Sequence, residues 1–346
     1  MKNTTKLLIL FSLLMISLVV LSGCGQTTPT SSAPATSTPT PPTSAVAPAV
    51  APTAGPVKSI TAEFKDTGHA NYFSLQLAKG AKGLADAHYS DSCIGCHSAV
   101  KMVDDKDAKL TDFLSGGKYA GKDEGISCRV CHDPGNGTKD SVWTLKKTGC
   151  DTCSYCHTSG NKPKVGTAVH HPQGEFIKGI APEGSPLKDM PSVKYNMKGF
   201  SCQSCHMPNG SHTFLVPGDT TVHDPKDPIT RTSNKLDYDK FTTVFAQASC
   251  QACHSSNAKD IANKVKQQQE DISKKLEELT KINDVWSTKI AAMTPEQAKT
   301  DPNAKAFNEG TTYYSYVEAD SSKGAHNYEF AKALLEQAAK SWAALK

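Results

Sequence analysis

Five times in this chain two cysteines stand three residues apart with a histidine directly after the second. The copies are Cys93-Ile-Gly-Cys96-His97, Cys128-Arg-Val-Cys131-His132, Cys153-Ser-Tyr-Cys156-His157, Cys202-Gln-Ser-Cys205-His206 and Cys250-Gln-Ala-Cys253-His254. Two thiols at that spacing reach the two vinyl groups of one haem and form thioethers, and the adjoining imidazole then lies under the iron as its proximal ligand. Random placement of these residues would give far fewer than one copy. Zinc knuckles also use Cys-x-x-Cys, but they pair two such units and have no need of a histidine after every one. A disulfide framework gives no reason for the histidines either. The sequence therefore implies five covalent haems c. The motifs use ten of the eleven cysteines other than Cys24. Cys150 is left over; Ser154, not His, follows Cys150-Asp151-Thr152-Cys153, and it reads as an incidental free thiol.

Seven histidines lie outside the motifs: His69, His88, His170, His171, His212, His223 and His326. A second imidazole on an iron closes it to substrate and suits it to passing electrons; an iron without one can bind and reduce a molecule. All seven are candidate distal ligands, enough for five irons, and counting alone does not distribute them.

The rest of the chain must hold these groups in place. Lys2 and Lys6 precede an apolar run from Leu7 to Leu21 that is short for a membrane span, which needs about 20 residues. Leu21-Ser22-Gly23-Cys24 then resembles a bacterial lipobox, so residues 1–23 read as a lipoprotein signal and Cys24 as the lipidated first residue of the mature chain. That places the protein outside the cytoplasm. With Gly25 after the cysteine, the anchor is expected in the outer membrane of a Gram-negative cell or on the outer face of a Gram-positive one. Residues 24–57 are rich in Thr, Pro, Ser and Ala and read as a disordered, semi-stiff spacer. A net charge of +4 over 346 residues argues against a nucleic-acid partner.

Residues 58–257 form the haem-binding region. Its segments are short, with frequent Gly and Pro, so haems rather than side chains are expected to fill its core. Residues 258–346 change character. Ile261, Val265, Ile272, Leu276, Leu279 and Ile282 recur at near-helical spacing, so a long helix is expected from Ala258 to about Val285, ended by Pro295 and Pro302. Further helices are expected over about 304–318, 327–345 and 72–79. The fold class is mainly α, a multihaem cytochrome c with a haem-packed core, little sheet and long C-terminal helices.

The order of these motifs resembles the pentahaem ammonia-forming cytochrome c nitrite reductases over roughly residues 66–340. The resemblance rests on Gly68-His69 before the first motif, His171-Pro172 before the fourth, Met207-Pro208 and His212 after the fourth, Phe245-Ala-Gln-Ala-Ser249 leading into the fifth, and Lys323-Gly-Ala-His326 opening a late helix. It implies His69 as distal ligand of the third haem, His212 of the second and His326 of the fourth. It also implies His171 as the counterpart of a catalytic histidine, and C-terminal helices that pair two copies into a homodimer. The chain departs from the family where chemistry is done. His97 stands where typical members have a proximal lysine. Tyr72 to Ala78 lacks the substrate-binding arginine, and Thr158-Ser-Gly-Asn161 replaces the catalytic tyrosine and calcium-binding carboxylate. Ser192 to Phe200 contains no histidine for the fifth haem. His170 or His171 can then be a plain ligand, and His88 and His223 are left for the first and fifth irons.

Two functions follow. One is an electron-transfer cytochrome for anaerobic or extracellular respiration. It would sit between a membrane quinol-oxidising cytochrome and other multihaem cytochromes or an extracellular acceptor. The other is a terminal reductase of nitrite or hydroxylamine at an open first haem, with His171 as the catalytic histidine. Reductive chemistry at an open iron needs cationic and proton-donating groups around it. With the expected Arg and Tyr missing, the first reading is preferred.

Overall fold

The computed structural model describes residues 59–346 except 87, 123–124, 134–143, 148, 161, 168, 198–199, 218–222, 225–226, 232–236 and 251–253. The expected signal, Cys24, the expected spacer and Cys253 therefore lie outside the described residues. The side chains of 223–224, 227–231, 238 and 247–249 are not described either.

Helices dominate, and four are long: α1 (Gly68–Ala78), α2 (Ala258–Ala291), α3 (Pro302–Asp320) and α4 (Tyr328–Trp342). The described sheet is two small antiparallel pairs. His132–Asp133 pairs with Thr144–Leu145, and His223–Asp224 with Asp227–Arg231. No helix among the described residues is long and apolar enough to cross a membrane.

Helix α2 runs about six residues further than its periodicity suggested, to Ala291, while its buried stripe ends at Leu279. Val265, Ile272 and Leu279 are buried, but Ile282 at 36% and Val285 at 54% exposure face outward. The two prolines end nothing by themselves; each starts the next helix. Thr294 caps Pro295–Thr300 in a reciprocal box with Gln297, and the Asp301 carboxylate accepts from the Asn303 and Ala304 amides (2.7 and 2.9 Å) ahead of α3. Proline suits this first position because its missing N–H would have had no helical partner there.

The side-chain core lies in this C-terminal half. Ile272 and Leu279 of α2 meet Tyr313, Tyr316 and Val317 of α3 and Phe330, Leu334 and Leu335 of α4, all buried. Polar ties fix the register. Trp342 Nε1 donates to the Phe307 carbonyl (3.1 Å), and the Thr280 and Tyr314 hydroxyls are hydrogen-bonded (2.8 Å).

The same three helices grip the loop region 165–192. Tyr316 Oη donates to the Ile180 carbonyl (3.0 Å), and Asn327 Nδ2 to those of Met190 (2.7 Å) and Phe176 (3.3 Å). Gly179 makes the turn possible. Its φ is 64°, and a Cβ there would lie 1.8 Å from the Met190 carbonyl oxygen, so only glycine fits.

The motif region is built differently. Its helical pieces at the motifs are single turns: Ile94–His97, Cys128–Cys131, Asp151–Ser154 and Gln203–His206. A π-helical segment, Phe241–Cys250, runs into the fifth motif and packs Phe241 and Phe245 against α2 through Ala262 and Val265. Between these pieces and the C-terminal helices lies one cavity of about 2420 Å³.

Candidate haem centre

A pocket for one small ligand usually measures about 300–1000 Å³, so a cavity of about 2420 Å³ has room for several macrocycles. Its lining includes Cys96, Cys131, Cys153, Cys156, Cys202, Cys205 and Cys250, with His69, His97, His157, His171, His206, His254 and His326.

The imidazoles within and beside it come in pairs. Ring centres of His69 and His157 lie 5.9 Å apart, His132 and His212 6.2 Å, His206 and His326 6.0 Å, and His97 and His171 6.2 Å. Imidazole–metal bonds of about 2 Å on each side of an iron, plus about 1.2 Å from each ring nitrogen to its ring centre, make a separation of about 6.4 Å. Each pair is therefore at the spacing that one metal between two imidazoles requires.

The chain also sets the tautomers. His206 Nδ1 donates to the Phe214 carbonyl (3.3 Å) and His212 Nδ1 to that of Gly210 (2.8 Å). His326 Nδ1 is 2.7 Å from Asp320 Oδ1, whose side chain is fully buried. A ring that donates from Nδ1 presents the Nε2 lone pair to a metal. Burial pushes the pKa of His69, His97, His171 and His206 down to about 4, so these rings are neutral, the form that ligates. Paired imidazoles and a large cavity edged by attachment cysteines fit haem c. Among the described residues no three or more His, Cys, Asp and Glu converge into a metal cage of the kind zinc takes.

Local structure explains the placements. Thr67 caps α1, its side chain accepting from the Ala70 amide (3.3 Å), which sets His69 in the first turn. Glu63 accepts from the His212 amide (2.8 Å). His171 sits at φ 47°, a rare state for a side-chain-bearing residue and one that gathers at functional sites. Pro172 and the short helix Gln173–Lys178 hold it there, docked on the third motif through the Gly174 amide to the His157 carbonyl (2.9 Å).

The remaining candidates are placed less closely. His170 is exposed, with its ring 3.9 Å from that of His171. His88 is exposed at φ 54°, and its ring meets no other imidazole among the described residues. His223 begins a strand whose partner, Asp227–Arg231, packs near α1. His254 lines the cavity. His171 also lies 6.1 Å from His157, which already has His69.

The attachment cysteines run in a series. Cys96 lies beside Cys156, and Cys153 beside Cys202. Cys131 is close enough to raise the pKa of both Cys153 and Cys156, and Cys250 that of Cys205. Cys150 abuts Cys202, and burial first of all pushes its thiol up to about 11, so it is a poor nucleophile at neutral pH.

Two residues near the irons' places escape a search for histidines. Asp320 could have been noticed, since it ends α3 six residues before His326. Lys194 lies in the segment 192–200 that lacks a histidine; its Nζ donates to the Ala325 carbonyl, and burial lowers its pKa.

The motifs, paired imidazoles and helical scaffold define a multihaem c-type cytochrome with covalently bound haem. More narrowly, residues 192–344 match the family model for cytochrome c552. No curated protein sequence matches the chain. Among solved structures, the outer cell wall cytochrome OcwA is 27% identical, over 82% of this chain and 50% of that one, with a TM-score of 0.57. The undecahaem cytochrome from the S-layer of Carboxydothermus ferrireducens is 25% identical, over 81% and 41%, with a TM-score of 0.51. The cytochrome c nitrite reductase of Desulfovibrio desulfuricans is 16% identical, over 73% and 64%, with a TM-score of 0.43. This chain spans half or less of the length of the first two.

Proposed function

We propose that this chain is an extracytoplasmic electron carrier that holds five haems c and is tethered to a membrane through a lipid on Cys24. Each haem, when bound, supplies a one-electron iron couple. Attachment is assigned to Cys93, Cys96, Cys128, Cys131, Cys153, Cys156, Cys202, Cys205, Cys250 and Cys253, and proximal ligation to His97, His132, His157, His206 and His254. The distal ligands are His171, His212, His69 and His326 for the first four irons. The observation that carries this reading is the 6.2 Å spacing of His97 and His171. That spacing supports His171 as an axial ligand on the first iron, the one at which the reductase alternative would bind nitrite. The outer cell wall and S-layer settings of the two similar cytochromes support a place outside the cytoplasm. The partners are a membrane quinol-oxidising cytochrome and other multihaem cytochromes, and the exposed Ile282 and Val285 on α2 offer a face for a second copy.

The test is pyridine haemochrome analysis with low-temperature EPR of the oxidised protein. Five haems per chain, all low-spin and indifferent to nitrite, are expected. Fewer haems would refute the attachment scheme, and a high-spin signal that moves with nitrite would make the protein a reductase.

The proposal also gives Asp320 a task. Its buried carboxylate holds His326 Nδ1 at 2.7 Å and is itself held by the Ser322 hydroxyl and amide. A negative charge behind an axial imidazole strengthens that ligand and favours the oxidised iron. Asp320→Asn is expected to raise the potential of the His206/His326 haem. A charge-assisted hydrogen bond of about 1.5–3 kcal/mol sets the scale at roughly 60–130 mV for one electron. Redox-titrated spectra that leave all potentials in place would remove this role.

A further inference from the structure

We infer that Glu63 is a positioning residue for the axial ligands: its carboxylate clasps the loop 211–214, which serves three irons at once. The inference rests on the ligand assignments above and adds to them. Glu63 belongs to the short helix Ile60–Phe64, the first described element, where the Ser59 hydroxyl caps by accepting from the Ala62 amide (3.2 Å). Its Oε2 accepts from the His212 amide (2.8 Å) and from the Ser211 hydroxyl (3.3 Å), across 149 and 148 positions of chain. A hydrogen bond to a charged acceptor is stronger than one between neutral groups, so the two bonds hold both ends of the chain together at the place where a ligand must sit.

The loop has no other frame. Residues 211–215 form no helix or strand, and Phe214 stands at φ 58°. That state is strained for so large a side chain and persists only where the surroundings impose it. The clasping helix supplies them: Glu63 holds the loop's start, and the Phe64 ring meets the Phe214 ring edge-on at 6.1 Å. Three groups of the loop then reach ligands of three irons. The His212 ring stands 6.2 Å from that of His132, the pair of the second iron. The Phe214 ring packs 4.4 Å from that of His69, the distal ligand of the third. The Phe214 carbonyl accepts from Nδ1 of His206, the proximal ligand of the fourth (3.3 Å). A carboxylate that only pinned the helix to the body of the protein would affect stability and leave the irons alone. One that sets this loop moves their spectra.

The experiment uses the holoprotein and reads haem content, EPR and cyanide binding. Glu63→Ala leaves the His212 amide and the Ser211 hydroxyl without their acceptor. It is expected to keep five haems, to turn one partly high-spin, to bind cyanide there about tenfold or more tightly than wild type, and to shift the low-spin g values of two others. Glu63→Gln keeps an acceptor oxygen at the same reach and is expected to restore the wild-type spectrum. Glu63→Asp, shorter by one methylene, is expected to show the same changes in smaller measure and decides the matter if Glu63→Ala does not load five haems. In a chain without the second haem (Cys128→Ala with Cys131→Ala), Glu63→Ala should give no high-spin signal but should still shift the two others. Alanine and aspartate variants with wild-type spectra, a glutamine variant as disturbed as the alanine one, or a high-spin signal that survives loss of the second haem would each overturn the inference. The haem count and spin states of the wild-type protein judge the ligand assignments separately.

Discussion

His171→Gly is expected to open one haem in five: one low-spin signal is lost, a high-spin signal appears, and one equivalent of nitrite or cyanide binds where the native protein binds none. Three features of the structure produce this expectation. The His171 ring sits 6.2 Å from that of His97, the separation that an iron between them demands. Burial holds its pKa near 4, so the ring stays neutral and able to ligate. Its backbone stands at φ 47°, which glycine adopts freely, so the variant removes the imidazole without adding strain. The neighbouring His170 is the obvious substitute, with its ring only 3.9 Å away. The double variant His170→Ala with His171→Gly therefore serves as the control and should show the full effect if the single variant shows part of it. His88→Ala should change nothing, since that side chain is exposed. A high-spin haem produced by His88→Ala, with none from either His171 variant, would transfer the role to His88.

What could be read from the sequence, and what could not, divides along physical lines. The attachment motifs are legible because thioether chemistry dictates both residue type and spacing within five residues. The long C-terminal helices are legible because burial of one face imposes a period that Val265, Ile272 and Leu279 obey. The ends of those helices were harder. Proline both ends and begins helices, and the caps at Thr294 and Asp301 decide that Pro295 and Pro302 begin them here. Pairing of distant histidines has no local signature at all. His69 meets His157 across 88 positions of chain (157 − 69), and only the fold closes that distance. Resemblance in motif order pointed to His69, His212 and His326, and the structure sets each beside a motif imidazole. It offered no choice between His88, His170 and His171 for the first iron. Searching for histidine alone also hid Asp320, whose chemistry depends on being buried beside His326.

Cys153→Ala with Cys156→Ala is expected to do more damage than the same change at the second motif. Haem content should fall from five to four per chain, and electron exchange between the first and fifth sites should slow by at least tenfold, equal to about 1.4 kcal/mol of barrier. The reason lies in which motifs lie side by side. The third motif meets the first through Cys96 and Cys156, the fourth through Cys153 and Cys202, and the second through Cys131. Cys205 and Cys250 join the fourth to the fifth. The third motif is thus the crossing point of the series, and the second is a side branch. Both replacements leave His157 in place with its carbonyl accepting from the Gly174 amide, so the loop that carries His171 keeps its anchor. The matched control is Cys128→Ala with Cys131→Ala, which also removes one haem but leaves the contacts from first to third to fourth to fifth intact. Stopped-flow reduction followed at several wavelengths separates the two. If loss of the second motif slowed transfer as much as loss of the third, the order of contacts drawn from the cysteines would be wrong, and the second haem would lie on the main path.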